Sequence, residues 1–354
     1  MAMNTSAKQI VNNPSETTVP SYTLSVAPMM DWTDRHCRYL FRQFSRCTLL
    51  YTEMITAPAI IYGDAERHLA HNPIEHPLAL QIGGSKPNEL AQAVMLGNKY
   101  GFKEINLNMG CPSGRVANGC FGAKLMTLPE LASDCIKAML DASDSVEITV
   151  KCRIGVDDDN PNQVLPKLIE RFSNIGIKRI IIHARKAYLN GLNPKENRTI
   201  PPLNYGLVYA IKKHFSELDV CINGGITDLD QVTYHLGQGV DGVMVGRAAY
   251  QDPIRLLSEA DTIIYGQPVH DSLDQALAKM VEYIDQEVTS GTPIRHITRH
   301  MLGLFTGQRG AKIWRRNLSS HEFMDQEGIQ GIIKTLELLK AFETGVPLFE
   351  IESN

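Results

Sequence analysis

No CxxC pair occurs among the seven cysteines of this 354-residue chain, so no histidine joins cysteines at the spacing of a zinc-ligand set. A structural zinc site is therefore not expected, nor any other metal. An odd number of thiols without a disulfide rhythm fits the reducing cytosol, so a cytoplasmic protein is expected. The chain also has no apolar run long enough to span a membrane. Its first twenty residues carry Lys8 as their only basic side chain and lack the apolar stretch of a signal peptide. Residues 1–22 read as a flexible polar leader. Acidic residues are missing locally as well. The net charge of −4 does not point to nucleic acid, yet Gly291–Ser320 holds Arg295, Arg299, Arg309, Lys312, Arg315 and Arg316 with no Asp or Glu. A solvated helix face usually mixes both signs, so this run reads as a local footprint for a polyanion.

Apolar and charged fractions of 43% and 21% are those of a globular protein. Short β-rich runs recur at Leu24–Met29, Leu49–Ile55, Leu78–Gly83, Glu104–Met109, Ile148–Arg153, Arg179–His183, Val220–Gly224 and Gly242–Val245. Helix-like segments such as Pro87–Tyr100, Leu128–Ala142 and Asp228–Gly237 lie between them. Eight strands alternating with helices predict a parallel (β/α)8 TIM barrel. An open doubly wound sheet is the alternative, but its glycine fingerprint after the first strand is absent; that strand ends Ala27-Pro28-Met29-Met30. After about Ile263 the strand rhythm stops. Asp271–Ser290, Ile294–Leu304, Gly310–Leu318 and Gly328–Phe342 read as helices. The expected division is a barrel over 23–262 and a small helical domain over 263–354 that carries the basic run.

The densest signal is Ile105-Asn106-Leu107-Asn108-Met109-Gly110-Cys111-Pro112, followed by a glycine-studded loop from Ser113 to Lys124. Buried asparagines are costly unless their amides are paired. A cysteine at the carboxyl end of a barrel strand stands where this fold places reactive groups, whereas most free cysteines are inert core residues. Gln81, Lys151 and His183 end or approach the ends of other strands. Asn223-Gly224-Gly225 and Gly246-Arg247 follow strands seven and eight, where barrels commonly bind phosphate. Glycine lets backbone N–H groups approach an anion, and arginine adds charge-assisted hydrogen bonds. Together these predict a phosphorylated ring cofactor, which FMN fits. With no dinucleotide fingerprint, NAD(P)H would visit rather than reside.

Ala27-Pro28-Met29, Asn108-Met109-Gly110-Cys111-Pro112, Lys151, Ile182-His183-Ala184-Arg185, Asn223-Gly224-Gly225 and Val245-Gly246-Arg247 together resemble the tRNA-dihydrouridine synthase family, from about residue 23 to about residue 345. The segment from Ala187 to Arg198, with Ile200-Pro201-Pro202-Leu203, is similar to the A-type subfamily, which modifies positions 20 and 20a of the tRNA D-loop. The resemblance implies flavin contacts at Pro28, Met29, Met30, Gln81, Lys151, His183, Asn223, Gly224, Gly225, Gly246 and Arg247. It makes Cys111 the proton donor and sets Asn108 against the tRNA. Lys195, Arg198, Lys312 and Arg315 match the positions that orient tRNA.

The implied chemistry saturates the C5–C6 bond of uracil with a hydride at C6 and a proton at C5. Reduced FMN, recharged by NADPH, would give the hydride. A thiol, with a pKa of about 8.5, still holds its proton near pH 7, where an ordinary carboxylic acid does not. A uracil inside folded tRNA must first be flipped out. Two rivals stand beside this expectation: a flavin barrel reducing a free pyrimidine such as dihydroorotate, and a non-catalytic tRNA-binding protein. A monomer is expected.

Overall fold

The computed structural model describes residues 19–113, 120–268 and 271–344. Eight strands form within them: β1 (Leu24–Val26), β2 (Leu49–Thr56), β3 (Leu78–Gly83), β4 (Glu104–Met109), β5 (Glu147–Arg153), β6 (Arg179–His183), β7 (Asp219–Asn223) and β8 (Gly242–Val245). They pair in parallel in chain order, and β8 pairs back to β1, closing the barrel. The expected barrel followed by a helical region is what the chain forms. All eight expected strands are present. The first stops at Val26 rather than Met29, where Thr33 Oγ1 accepts a hydrogen bond from the Met29 backbone N–H at 2.9 Å and the chain turns across the barrel mouth.

Alternation within the strands sorts outside from inside. On β4, Ile105, Leu107 and Met109 are fully buried in the layer between sheet and helices, while Glu104, Asn106 and Asn108 have the opposite parity. The helix Pro87–Lys99 starts on a proline and buries Leu90, Ala93, Val94 and Gly97. A Cβ on Gly97 would lie 2.8 Å from Ile105 Cδ1, so glycine sets how closely this helix sits on the sheet. Truncating Leu107 to Ala would cost about 2–5 kcal/mol.

The barrel interior is divided. Ala27, Leu49, Tyr51, Ala79, Ile181, Cys221 and Met244 make a separate apolar cluster. Strands β3 to β5 instead contribute buried Gln81, Glu104, Asn106, Asn108 and Thr149. At the base, Arg179 forms 2.7 Å ion pairs with Glu104 and Glu147, and its guanidinium lies 3.9 Å from the Tyr22 ring centroid. Burial alone would lower its pKa, but the facing Glu104 carboxylate, with Tyr51 and Glu147, holds it above the ordinary value.

Of the expected leader, residues 1–18 lie outside the described residues. Ser21–Thr23 form a 3-10 turn, and Tyr22 donates from its hydroxyl to Asp219 at 2.8 Å. The helix Ala260–Tyr265 straddles the expected boundary at 262. The Tyr265 hydroxyl donates to the Leu24 carbonyl (3.0 Å) and accepts from its N–H (3.1 Å), so this helix packs with the barrel.

Helices follow at Leu273–Thr289, Ile294–Thr298, Ala311–Ser319 and His321–Thr344. Expected helix Ile294–Leu304 stops early, at Thr298. A 3-10 turn, Met301–Gly303, follows, and a Cβ on Gly303 would sit 2.6 Å from the Gln251 carbonyl oxygen. The last helix begins at His321 rather than Gly328. Ser320 Oγ accepts from the Phe323 N–H at 3.2 Å, and Gly328 is a break inside the helix at φ 55°, ψ −133°.

This helical unit docks on the barrel helix Arg35–Phe44. Tyr39 stacks on Tyr283 with ring centroids 3.8 Å apart, and the Tyr283 hydroxyl lies 2.7 Å from His36 Nδ1. Burial pushes the His36 imidazole down to about 4, so it is neutral at pH 7. Asp34 caps the barrel helix through the N–H groups of His36 and Cys37. It also accepts from Arg299 (2.6 Å) and His300 (3.0 Å) of the helical unit.

Candidate active site

A cavity of about 710 Å³ opens at the carboxyl ends of the strands. All eleven expected flavin contacts line it: Pro28, Met29, Met30, Gln81, Lys151, His183, Asn223, Gly224, Gly225, Gly246 and Arg247. Cys111, Asn108 and Arg198 line it too. Lys195, Lys312 and Arg315 do not. Cys120, the rival thiol from the same loop, is exposed and outside the cavity lining, with its backbone in the left-handed region at φ 56°. Residues 114–119 of that loop lie outside the described residues.

Charge in this cavity has one sign. Lys151, Arg153, Arg198 and Arg247 line it, and among the described lining residues there is no Asp or Glu. Lys151 donates from Nζ to Asn223 Oδ1 at 3.0 Å. Burial, and then the neighbouring Arg153 charge, pushes its ammonium down to about 8 from 10.5. His183 is pushed well below its usual range by burial and by Arg153 and Lys151, so the imidazole is neutral. Arg153 is buried, Lys151 and Arg247 are half-buried and Arg198 is exposed. Like charges gathered without a counter-charge cost more the deeper they lie, and an anion is the ligand that relieves the cost.

The glycine turns leave space where an anion approaches backbone. Gly224 and Gly225 both have positive φ, 117° and 76°. A Cβ on Gly224 would lie 2.8 Å from the His183 ring, and one on Gly225 2.7 Å from Leu203. Glycine is therefore required on two grounds. The Gly224 carbonyl is held by the Tyr205 hydroxyl at 2.6 Å.

Cys111 is placed by Asn108. Asn108 Oδ1 accepts from the N–H groups of Gly110 (3.2 Å) and Cys111 (3.1 Å), while its Nδ2 donates to Gln81 Oε1 at 2.8 Å. Arg153, a residue with no motif to mark it in the sequence, is the other support. Its Nε donates to the Gly110 carbonyl (2.9 Å), and its Nη1 to the carbonyls of Lys186 (2.8 Å) and Asn197 (2.9 Å). Burial pulls its pKa down to about 10, with the nearby Cys111 thiol opposing the shift. One guanidinium thus ties the Cys111 loop to the loop that carries Lys195 and Arg198. That loop is knit around Asn197, whose Nδ2 donates to the carbonyls of Tyr188 and Leu192 and whose Oδ1 accepts from the Tyr188 N–H. Inward parity two residues after Lys151 was the available signal for Arg153. Trp32 and Met54 also line the cavity, again without a motif that marks them; Trp32 stacks on Tyr250 with centroids 4.4 Å apart.

The second basic cluster lies on the helix Ala311–Ser319. This helix buries Ala311, Trp314 and Leu318 and exposes Lys312, Arg315 and Arg316 on its other face. Among the described residues Lys195, Arg198, Lys312 and Arg315 form no salt bridge. Arg299, by contrast, is committed to Asp34.

Fold and site together define a parallel eight-stranded barrel with a cationic cavity at the strand ends and a thiol at its mouth. The chain belongs to the dihydrouridine synthase family, whose model matches residues 25–342 and whose members are flavin-dependent oxidoreductases. It is 52% identical over 309 residues to the tRNA-dihydrouridine(20/20a) synthase of Escherichia coli O6:H1, covering 87% of this chain and 92% of that protein. It is 48% identical over 329 residues to the synthase of the same name from Vibrio cholerae, covering 92% and 99%. Among solved structures, the old yellow enzyme homologue of Zymomonas mobilis superposes with a TM-score of 0.52 at 13% identity, over 74% of this chain and 96% of that one. That likeness is one of barrel fold alone.

Proposed function

We propose that this protein reduces the C5–C6 bond of uridine at positions 20 and 20a of the tRNA D-loop, with FMN as resident cofactor and NADPH as transient reductant. The observation that carries the proposal is a cavity whose described lining residues include four cations and Cys111 but no acid. Its size suits a cofactor of this class, and its charge suits a phosphate. Asn223, Gly224, Gly225, Gly246 and Arg247 would hold the phosphate end. Pro28, Met29, Met30, Gln81, Lys151 and His183 would hold the ring. When bound, FMN supplies the hydride that goes to C6, taken beforehand from NADPH.

The protein's own residues do the rest. Cys111 donates its proton to C5, and Asn108, which fixes the Cys111 backbone, stands against the flipped base. Lys151 offers a positive charge to the pyrimidine side of the ring. Neutral His183 adds no further cation to a crowded site. Lys195 and Arg198 on one side, and Lys312 and Arg315 on the helical unit, take the tRNA backbone, which RNA-binding proteins grip largely through phosphate and shape. On this proposal the protein works as a monomer in the cytoplasm, with a catalytic unit over 23–262 and a tRNA-binding unit over 263–354. No helix among the described residues is long and apolar enough to cross a membrane.

Two measurements test the proposal. Cofactor released by heat should chromatograph as FMN, and dihydrouridine at positions 20 and 20a should vanish from tRNA of cells lacking this chain. A protein that ignores added FMN, or an unchanged tRNA map, refutes it. Activity on free uridine or UMP in place of tRNA would favour the small-molecule rival.

A further inference from the structure

One hydrogen-bonded column runs through the polar half of the barrel. At the base, Glu104 Oε2 accepts from Arg179 (2.7 Å), and Glu104 Oε1 accepts from Tyr51 and from Thr149 Oγ1 (2.5 Å). Thr149 Oγ1 accepts from Asn106 Nδ2 (2.7 Å), Asn106 Oδ1 from Gln81 Nε2 (2.8 Å), and Gln81 Oε1 from Asn108 Nδ2 (2.8 Å). Asn108 Oδ1 then takes the N–H groups of Gly110 and Cys111. Strand register makes this possible, because Gln81 lies beside Asn106 and Asn106 beside Thr149.

The column has a direction. A carboxylate paired with arginine can only accept. Thr149 has one proton and must give it to Glu104, so it must accept from Asn106. Each amide above is then compelled to aim its nitrogen at the base and its oxygen at the mouth. The top end agrees, since two backbone N–H groups demand an oxygen from Asn108. Gln81 is clamped between two ends that specify the same orientation, with one N–H and one lone pair left over. Asn106, Thr149 and Glu104 are all nearly or fully buried and lie outside the cavity lining.

We propose that Glu104, Thr149 and Asn106 are positioning residues: a buried carboxylate at the barrel base fixes the amide of Gln81, and through Asn108 the Cys111 loop, for the reaction at the mouth. The proposal rests on the function proposed above for the use of Gln81 and Cys111. The column itself is tested without that function.

The test compares Thr149→Val, which keeps the shape and removes the link, with Thr149→Ser, which restores a hydroxyl. Tyr51→Phe serves as control, because it removes the hydrogen bond that Tyr51 donates to Glu104 and leaves the Thr149–Glu104 link and every bond above it in place. Two readouts are used. One is the affinity and visible spectrum of bound FMN; the other is the alkylation rate of Cys111 by iodoacetamide in flavin-free protein, resolved by peptide mass spectrometry. Thr149→Val should weaken FMN binding about 10-fold, the effect of about 1.4 kcal/mol, alter the flavin spectrum, and speed alkylation of Cys111 severalfold. Thr149→Ser and Tyr51→Phe should match the parent protein in both. Should Thr149→Val not fold, Thr149→Ala removes the same hydroxyl. Unchanged FMN binding with unchanged alkylation in the variant lacking the hydroxyl overturns the proposal. So does failure of Thr149→Ser to rescue, or an equal effect of Tyr51→Phe. If the parent protein binds no FMN, the proposed function fails, and the alkylation comparison still decides the column.

Discussion

Lys151 should weaken the fold it belongs to, and replacing it should show by how much. Its ammonium titrates at about 8 in the folded protein against 10.5 ordinarily. At about 1.36 kcal/mol per pH unit, keeping it charged below pH 8 costs the ligand-free fold about 3 kcal/mol. Lys151→Met removes that cost and with it one hydrogen bond to Asn223, worth about 1 kcal/mol. The variant should therefore be more stable at pH 7 by about 2 kcal/mol. The pH dependence carries the sign. Between pH 8 and 10.5 the unfolded chain binds more protons at this site than the folded one, so the parent protein gains stability as pH rises through that window. The variant does not, and the order of stabilities should reverse at the alkaline end. Urea unfolding of both flavin-free proteins at several values between pH 7 and 10.5 measures the difference, in which titrating groups that do not sense the Lys151 charge cancel. A difference that stays constant across the window, or a variant already weaker at pH 7, would refute the reasoning. The stabilised variant should also bind FMN less tightly, a trade of stability for function expected at preorganised sites.

Other outcomes follow from the same geometry. Cys111→Ala should leave flavin reduction by NADPH intact and slow dihydrouridine formation by about 10²-fold or more, the usual scale for a lost general acid; Cys120→Ala should turn over normally, and the reverse pattern in single-turnover assays would move the proton donor to Cys120. Asp34→Ala should cost about 2–4 kcal/mol by thermal unfolding, because it removes a helix cap and the acceptor for Arg299 and His300. Asp34→Asn keeps the cap and should cost less, and equal costs would sink the division. His300, the Cys37 N–H and Arg299 outweigh burial and hold the Asp34 carboxyl well below its usual range, so its contribution is present above the ordinary carboxylate pKa and is lost only as pH falls far into acid.

Much of this was legible because barrel strands advertise themselves. Runs such as Ile180-Ile181-Ile182 between turns leave few options, and the place of Gln81, Lys151, His183 and Asn223 in the cavity lining follows from where each run stops. Partnership was not legible. Alternation says that Asn106 and Thr149 face inward, but only the register between β4 and β5 makes them neighbours, and register is a property of the closed barrel. Arg153 escaped for the same reason: its three carbonyl partners lie at positions 110, 186 and 197. In the helical unit glycine misled. Gly328 reads as a start but breaks a helix already capped by Ser320, and Gly303 is set by close approach to the Gln251 carbonyl rather than by helix propensity.

Two electrostatic systems stand side by side here, and salt should separate them. Inside the barrel, carboxylates gather at the base with Arg179, while cations gather at the mouth with no acid among the described lining residues, and of these Arg153 is buried and Lys151 half-buried. On the surface, Lys312 and Arg315 are exposed and, among the described residues, without a salt bridge. The buried Arg153 and half-buried Lys151 are screened less by salt than exposed phosphate-binding cations, which release counterions and weaken steeply. FMN affinity should therefore change little across a salt series in which tRNA affinity falls by orders of magnitude. Lys312→Ala/Arg315→Ala should flatten the tRNA slope of log K against log[salt], by up to about one unit for each phosphate no longer neutralised. FMN affinity and flavin reduction should stay as they were, since neither residue lines the cavity. If these side chains served only the fold, stability would fall modestly, and titration of labelled tRNA at three salt concentrations would return the parent slope. That result would put the RNA grip elsewhere on the molecule, with Lys195 and Arg198, on the loop that Arg153 ties to Cys111, the next pair to replace.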